Sequence, residues 1–258
     1  MALPIDSINW IRKEELARLL SLNHRYFEGA DVLELGSGSG IQLKFISCVA
    51  KSAVGIDVQD GQYSEHRIAD VRDYDGKTIP FPDASFDLVF SSHVLEHLTD
   101  EPRLYSEMAR VLRPGGTAIH VVPTSYWRWW SWPGHYIDVA GRLLRKVKPK
   151  TESSRNGFGS HDEQPRSFSM RLRYALYPCR HGEKGNWFTE LFWLHPATWK
   201  RRLEGQKWKV DSVTPIGLWY SGYSFLDQGL SMRTRSNMAR ILGSSSIVIV
   251  GRPFTGES

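Results

Sequence analysis

The order of apolar and polar positions divides the chain into two stretches of different rhythm. Across residues 30–123, short apolar runs alternate with helical patterns, the sequence signature of a parallel sheet with crossover helices. Asp31–Leu35 predicts a first strand, Ile41–Lys51 the first crossover helix, Ala53–Ile56 a second strand and His66–Ala69 a third. Phe86–Phe90 predicts a fourth strand, followed by a helix over Glu101–Leu112 that ends at Arg113-Pro114-Gly115-Gly116. Thr117–Val122 predicts a fifth strand, stopped by Pro123. Ahead of these, Ile8, Ile11, Leu16, Leu19 and Leu20 fall near helical spacing, so Ser7–Arg25 reads as a helix on one edge of the domain. The rhythm breaks over residues 124–190, which are rich in Trp, Arg, Gly and Ser. It resumes with a helix at Pro196–Leu203 and strands at Trp208–Thr214 and Ser246–Gly251. Those two strands suit an antiparallel sheet edge, and Tyr220–Leu242 between them is long enough to carry its own helix.

A length of 258 residues sits near the upper limit of one hydrophobic core, so one domain with an insertion or two domains both fit. An apolar content of 41% with 24% charged residues excludes a disordered or fibrous chain. No apolar run approaches the roughly 18 residues needed to cross a bilayer, and Met1–Leu20 lacks the apolar core of a secretory signal. Cys48 and Cys179 are widely spaced with no metal-ligand pattern. A disulfide between them and a reducing cytoplasm both fit, the second more simply. The net charge of +5 conceals an asymmetry: residues 1–123 carry −6 and residues 124–258 carry +11. The basic half suits a negatively charged partner or a merely solvated surface.

The candidate chemistry begins where the first strand, Val32-Leu33-Glu34-Leu35, runs into Gly36-Ser37-Gly38-Ser39-Gly40. Without Cβ atoms, these glycines let backbone amides approach a ligand at the carboxyl end of a strand. Their spacing is not the GxGxxG of dinucleotide-binding folds, and no Lys-Ser or Lys-Thr follows as a phosphate loop requires. Asp57 ends the second strand 21 residues after Gly36, where a carboxylate can accept two ribose hydroxyls. Asp70, in Ala69-Asp70-Val71, ends the expected third strand, within reach of an adenine amino group. Ile79-Pro80-Phe81-Pro82-Asp83, Ser85-Phe86-Asp87-Leu88-Val89-Phe90 and Ser91-Ser92-His93-Val94-Leu95-Glu96-His97-Leu98 follow.

With these segments in this order, the sequence resembles the class I S-adenosylmethionine-dependent methyltransferases, especially the branch that includes ubiquinone and menaquinone biosynthesis enzymes. Val32–Gly40, Gly55–Asp57, Phe81–Leu98 and Leu112–Gly116 carry the likeness, which covers roughly residues 30–123 and the terminal strand. The resemblance implies that Glu34 and Gly36, Ser37, Gly38 and Gly40 hold the methionine portion of the donor and Asp57 the ribose. It further implies that Asp70 and the Val71 backbone bind adenine and that Ser91 lies near the methionine amino group. S-adenosylmethionine is then the cofactor and S-adenosylhomocysteine the product.

On the acceptor side, a sugar hydroxyl needs a general base near neutrality, which histidine provides best. His93 and His97 follow the fourth strand, where sites of this family face the transferred methyl. Their i, i+4 spacing also suits a metal, but no third ligand stands nearby in the sequence, so no metal is expected. Tyr126-Trp127-Arg128-Trp129-Trp130-Ser131-Trp132 precedes a helical face of Ile137, Ala140, Leu143, Leu144 and Val147, with Arg142, Arg145, Lys146, Lys148 and Lys150 around it. Aromatics beside a basic amphipathic helix suit a membrane interface or stacking on sugars, and equally a lid packed on its own domain. Further on, His181-Gly182-Glu183 precedes Trp187-Phe188-Thr189-Glu190-Leu191-Phe192-Trp193, loosely similar to methyltransferases of bacterial surface-polysaccharide pathways. That likeness makes His181, Glu183 and Glu190 acceptor-side candidates, and loop hydrogen bonding is the plainer role for each.

The combined expectation is an α/β, doubly wound, mostly parallel seven-stranded sheet of the class I methyltransferase type, Rossmann-like, in one domain over residues 1–258. An insertion over residues 124–190 forms the acceptor-site lid. The expected activity is O-methylation of a sugar or glycan hydroxyl in bacterial polysaccharide biosynthesis, with His93, His181 and Glu183 as catalytic candidates. A membrane-associated quinone or lipid methyltransferase, an RNA methyltransferase and a non-catalytic donor-binding scaffold are the alternatives. The expected partners are a glycan or small-molecule acceptor and a membrane surface met through residues 126–150. Nucleic acid is not expected, because no RNA-binding module is recognisable. The location read from these features is cytoplasmic, at the inner face of the membrane where residues 126–150 touch it.

Overall fold

In the computed structural model, residues 5–59, 67–145, 176–178, 180–222 and 229–254 are described, with residues 5–8 and 142–145 described by backbone alone. The strands are β1 (Asp31–Leu35), β2 (Ser52–Val58), β3 (Val71–Tyr74), β4 (Phe86–Ser92), β5 (Leu112–Pro123), β6 (Trp208–Pro215) and β7 (Ser246–Pro253). They form one sheet in the order β3-β2-β1-β4-β5-β7-β6. Strands β1 to β5 run parallel, while β7 is antiparallel to both β5 and β6. The central strands are nearly continuous buried runs, as strands covered on both faces must be. β6, at the edge, is mostly exposed.

The helices are α1 (Ile5–Asn23), α2 (Ile41–Ile46), α3 (Glu101–Val111), α4 (Ser125–Arg145), α5 (Glu190–Trp193), α6 (Pro196–Gly205) and α7 (Met232–Leu242). Local chemistry explains several ends. Asp100 accepts the Arg103 N–H at 3.3 Å to open α3, and Ser231 accepts the Thr234 N–H at 3.1 Å to open α7. His195 Nδ1 accepts the Ala197 N–H at 3.2 Å ahead of Pro196, a residue pre-set for a first helical turn. Trp199 of α6 is fully buried, and its indole donates to the Pro123 carbonyl at 3.0 Å, fixing the helix to the end of β5.

The doubly wound seven-stranded architecture and the antiparallel β6–β7 edge agree with the pattern read from sequence. Four boundaries do not. The third strand lies at Val71–Tyr74 rather than His66–Ala69, because its place is set by pairing Gly55↔Val71 through Val58↔Tyr74. Only Val71 of the four is buried, so this edge strand has no apolar run to advertise it. β5 begins at Leu112 and takes in the Pro-Gly-Gly: Leu112 pairs with Phe86 and Thr117 with Leu88, so residues 113–116 bulge out within the strand. α2 stops at Ile46, short of Lys51. The tryptophan run and the helical face behind it, as far as Leu144, lie on a single helix, α4, despite Pro133; Val147 of that face lies outside the described residues. Among other contacts, the Trp130 indole ties α4 to the Leu242 carbonyl at 3.0 Å.

From β1 the chain winds outward to β3, then returns to β4 on the other side of β1. The β1–β4 pair is therefore the switch point, where a doubly wound sheet opens its crevice at the strands' carboxyl ends. Gly36 leaves β1 there at φ +71°, and a Cβ on it would overlap Val94 Cγ2 in the turn after β4. Gly36→Ala is expected to cost about 1–3 kcal/mol from combined backbone strain and overpacking, measured by urea unfolding. Adding Val94→Ala should recover part of the loss; a double variant no more stable than the single one would contradict this close-packing account.

Candidate active site

The glycine turn curls over the end of β2. The Gly36 and Ser37 amides donate to the Ile56 carbonyl at 2.8 and 3.1 Å, and the Gly40 amide to the Ser37 carbonyl at 2.8 Å. Gly36, Gly38 and Gly40 all take positive φ, which a glycine adopts freely. Asp57, in the last turn of β2, accepts the Gly38 amide at 2.5 Å and the Val58 amide at 2.7 Å. Burial raises its carboxyl above the usual range in spite of those two donors. A carboxylate has lone pairs to spare for further hydroxyl donors.

Glu34 is almost fully buried one residue before the strand ends, and the Ser37 hydroxyl donates to it at 2.9 Å. Burial, reinforced by the nearby Asp57 charge and only partly offset by Ser37, pushes its carboxyl up to about 8. Ser91, at the matching level of β4, has no exposure, and its hydroxyl meets His120 Nδ1 at 2.7 Å. Burial pushes the His120 ring down to about 3, so it is neutral at physiological pH.

A second group of residues lies against this turn, beyond β4. His93 takes φ +56°, unusual for a side chain with a Cβ, and its amide donates to the Val121 carbonyl at 2.8 Å. The ring bridges two buried carboxylates: Nε2 is 3.3 Å from Glu15 of α1, and Nδ1 is 3.4 Å from Glu96. Burial alone would raise both carboxyls. His93 and Arg12 instead hold Glu15 well below its usual range, and His181 and His93 do the same for Glu96. His181 Nε2 stands 3.8 Å from Glu96, with the Trp127 ring 4.5 Å and the His97 ring 5.2 Å away. The loop carrying His181 is fixed by Glu190, which accepts the His181 and Gly182 amides at 2.6 and 2.9 Å and pairs with buried Arg128 at 2.9 Å.

Comparison with known proteins bears on the donor end. Residues 33–120 match a family model described as a methyltransferase domain. A Mycolicibacterium smegmatis protein, named a probable S-adenosylmethionine-dependent methyltransferase, is 37% identical over 118 residues, 44% of this chain and 45% of that one. A Mycobacterium tuberculosis protein of the same description is 37% identical over 102 residues, 36% of this chain and 35% of its own. These matches span less than half of either relative. Among solved structures, an S-adenosylmethionine-dependent methyltransferase from Mesorhizobium loti aligns with a TM-score of 0.53 at 15% identity, covering 93% of this chain and 97% of that one. DhpI in complex with S-adenosylhomocysteine aligns at 0.51 and 19%, covering 96% and 87%. At these identities the structures speak for the fold. Residues 33–120 therefore match a methyltransferase domain, and the whole chain shares the fold of S-adenosylmethionine-dependent methyltransferases.

The residues present fit that domain's donor. Gly36, Gly38 and Gly40 turn the chain with no side chain over its amides, and Asp57, which accepts the Gly38 amide, has acceptor capacity left. Glu34, Gly36, Ser37, Gly38, Gly40 and Asp57 come together as the sequence expected. Asp70 is exposed and precedes β3 instead of ending it, while its neighbours Ala69 and Val71 lie against Gly40, which keeps it beside the glycine turn. The acidic residue at the carboxyl end of β3, the ligand side of such a sheet, is Asp75, which accepts the Lys77 and Thr78 amides at 2.8 and 2.7 Å. Its signal in the sequence is its place four residues ahead of Ile79-Pro80-Phe81-Pro82.

Of the acceptor-side candidates, His93 and His181 meet on one carboxylate, Glu96. The Glu183 side chain does not join them: it is exposed and turned to Arg180 at 3.4 Å, while its amide donates to the Glu96 carbonyl at 3.2 Å. Sequence reasoning passed over Glu15, Glu96 and Arg128. Glu15 had a signal, since it interrupts the buried face made by Ile11, Leu16 and Leu19. The His93–His97 pair weighed from sequence is not the group that the fold assembles, since His93 has no place in it. Among the described residues, Glu96, His97 and His181 place ligand atoms within 4.8 Å of one another.

Glu34 yields a pH prediction for the methyltransferase domain. A carboxyl raised from 4.5 to about 8 on folding binds its proton more tightly in the native state. Its contribution is therefore fully present below the unfolded value and is lost as pH climbs through that window, on the order of 1 kcal/mol per pH unit. Urea unfolding of Glu34→Gln across the window should show a flatter dependence than the native chain. Identical slopes would remove Glu34 as the cause.

Proposed function

We propose that this protein transfers the methyl group of S-adenosylmethionine to a hydroxyl of a sugar or glycan, in bacterial polysaccharide biosynthesis, with His181 as the general base. The observation that carries the reading is the convergence of His181 and His93 on Glu96, beside the turn where Val94 packs against Gly36. Bound S-adenosylmethionine supplies an electrophilic methyl on a sulfonium. Glu34, Gly36–Gly40, Asp57 and Ser91 would hold its methionine and ribose portions, and Asp70 with the Val71 backbone, in the segment that lies against Gly40, its adenine.

The acceptor hydroxyl oxygen would attack the methyl carbon as the carbon–sulfur bond breaks, its electron pair staying on the departing S-adenosylhomocysteine sulfur, while the hydroxyl proton passes to His181. His181 suits this better than His93, because it is partly exposed and its ring lies against Trp127, a face on which a sugar can stack. His93 has only 6% of its side chain exposed and is clamped between two carboxylates. Glu96 keeps the imidazole oriented and offsets the positive charge that His181 acquires. The +11 charge of residues 124–258 suits phosphate-bearing or acidic glycans.

The test is transfer of labelled methyl to a panel of nucleotide-linked and lipid-linked sugars, with quinols and RNA as rival acceptors. His181→Ala should lower turnover on the accepted glycan by roughly 10²–10⁴-fold while leaving donor affinity intact. The low-pH limb of its pH–rate profile should also vanish. Full activity in His181→Ala rules the base out, and labelling of quinol or RNA alone replaces the acceptor. Calorimetric titration with S-adenosylhomocysteine should show affinity falling at least about tenfold in Asp57→Ala, as expected when charge-assisted bonds to both ribose hydroxyls are lost. Unchanged affinity would displace Asp57 from that role.

A further inference from the structure

α4 is inside out. Over residues 125–141, where its side chains are described, the exposed positions are Tyr126, Trp129, Pro133, Tyr136, Ile137 and Ala140, which recur at helical spacing, and every one of these is apolar or aromatic. Its buried positions include Arg128, Ser131, His135 and Asp138, each no more than 7% exposed. An ordinary surface helix has the reverse arrangement. The aromatic face continues onto α5: Trp129 lies 5.5 Å from Trp132, Trp132 lies 6.3 Å from Phe188, and Phe188 lies 5.9 Å from Phe192. Trp129, Phe188 and Phe192 remain 49–63% exposed although they touch one another. Contiguous apolar surface of this kind on a folded chain marks a place where something docks.

We propose that this face, α4 with α5, seats the protein on an anionic lipid bilayer. Three observations select that occupant. The aromatic residues are Trp and Tyr as well as Phe, side chains with an apolar body and a polar tip that settle at the headgroup boundary. Charge points the same way: residues 139–151 hold five basic residues and no acidic one, and Arg142 and Arg145 belong to the last turns of α4 itself. A second copy of the chain on this face would bring that positive charge against itself, whereas an anionic leaflet attracts it. Finally, among the described residues no helix is long and apolar enough to cross a membrane, so contact through this face is contact along the surface. The inference does not depend on the identity of the acceptor.

The experiment is co-sedimentation of the full chain with vesicles of equal parts phosphatidylcholine and phosphatidylglycerol, beside vesicles of phosphatidylcholine alone. Binding to the mixed vesicles should exceed binding to the neutral ones and weaken with salt. It should fall on the order of tenfold in Trp129→Ser with Phe192→Ser, with circular dichroism, melting temperature and S-adenosylhomocysteine affinity unchanged. Tyr136→Ser, which gives up a hydrogen bond to the Leu176 carbonyl at 3.1 Å and a ring contact with His135, should weaken binding as well and guards against misfolding of the double variant. Failure to sediment with mixed vesicles overturns the proposal. So does binding that the aromatic substitutions leave untouched, which would be adsorption by charge alone. Self-association that these substitutions abolish, without vesicle binding, assigns the face to a second copy instead.

Discussion

Two carboxylates, Glu15 and Glu96, are buried at the carboxyl end of the sheet, and most of the site's geometry follows from the need to pair them. An ionised carboxylate taken out of water costs several kcal/mol unless a partner faces it. His93 is that partner for both, which explains why a residue with a Cβ is held at positive φ: the turn after β4 must aim the ring between them. Glu15 also receives Arg12, the Tyr220 hydroxyl and the Ser246 hydroxyl, so one carboxylate joins α1, the start of β7 and the segment ahead of α7. Glu96 passes the connection to His181, whose loop is pinned by Glu190 and Arg128. Elements 200 residues apart in sequence thus share a single charge balance. Removing one member would strand the rest at a cost of about 3–5 kcal/mol.

This dependence also separates the two ends of the site. The donor end is built from local geometry: a strand, a glycine turn and a carboxylate on the next strand, all within residues 31–58. Such a site is legible, because each part announces itself by residue type and spacing. Glu34, Gly36 and Asp57 could be read from the sequence since their positions are fixed by β1 and β2, strands whose apolar runs are plain. β3 was misplaced for the opposite reason. Arg72 and Asp73 are exposed, and only pairing with β2 says where the strand begins.

The cluster around Glu96 is assembled from long-range contacts that no local pattern reports. His181 reaches Glu96 across 85 residues of sequence, and Arg128 reaches Glu190 across 62. What the sequence did carry was the anomaly itself: a glutamate on the apolar face of α1, and four tryptophans in six residues where a surface helix should be polar. Departures from the expected pattern are where a chain gives up local consistency for a tertiary or functional reason.

The reversed polarity of α4 joins these arguments. Arg128 faces inward because Glu190 must be neutralised, and Glu190 is needed to hold the backbone at His181. Once the inward face is committed to polar partners, the domain has no apolar surface left there for the tryptophans to pack on. Trp127 packs on His181 and Trp130 reaches the Leu242 carbonyl and Trp219, so these two are held inward. The remaining aromatic residues are driven outward by the same constraint that organises the acceptor loop. In this arrangement an apolar exterior and a charged interior are two consequences of one helix supporting one histidine, and a surface that receives the aromatic face also lies beside the loop that presents His181.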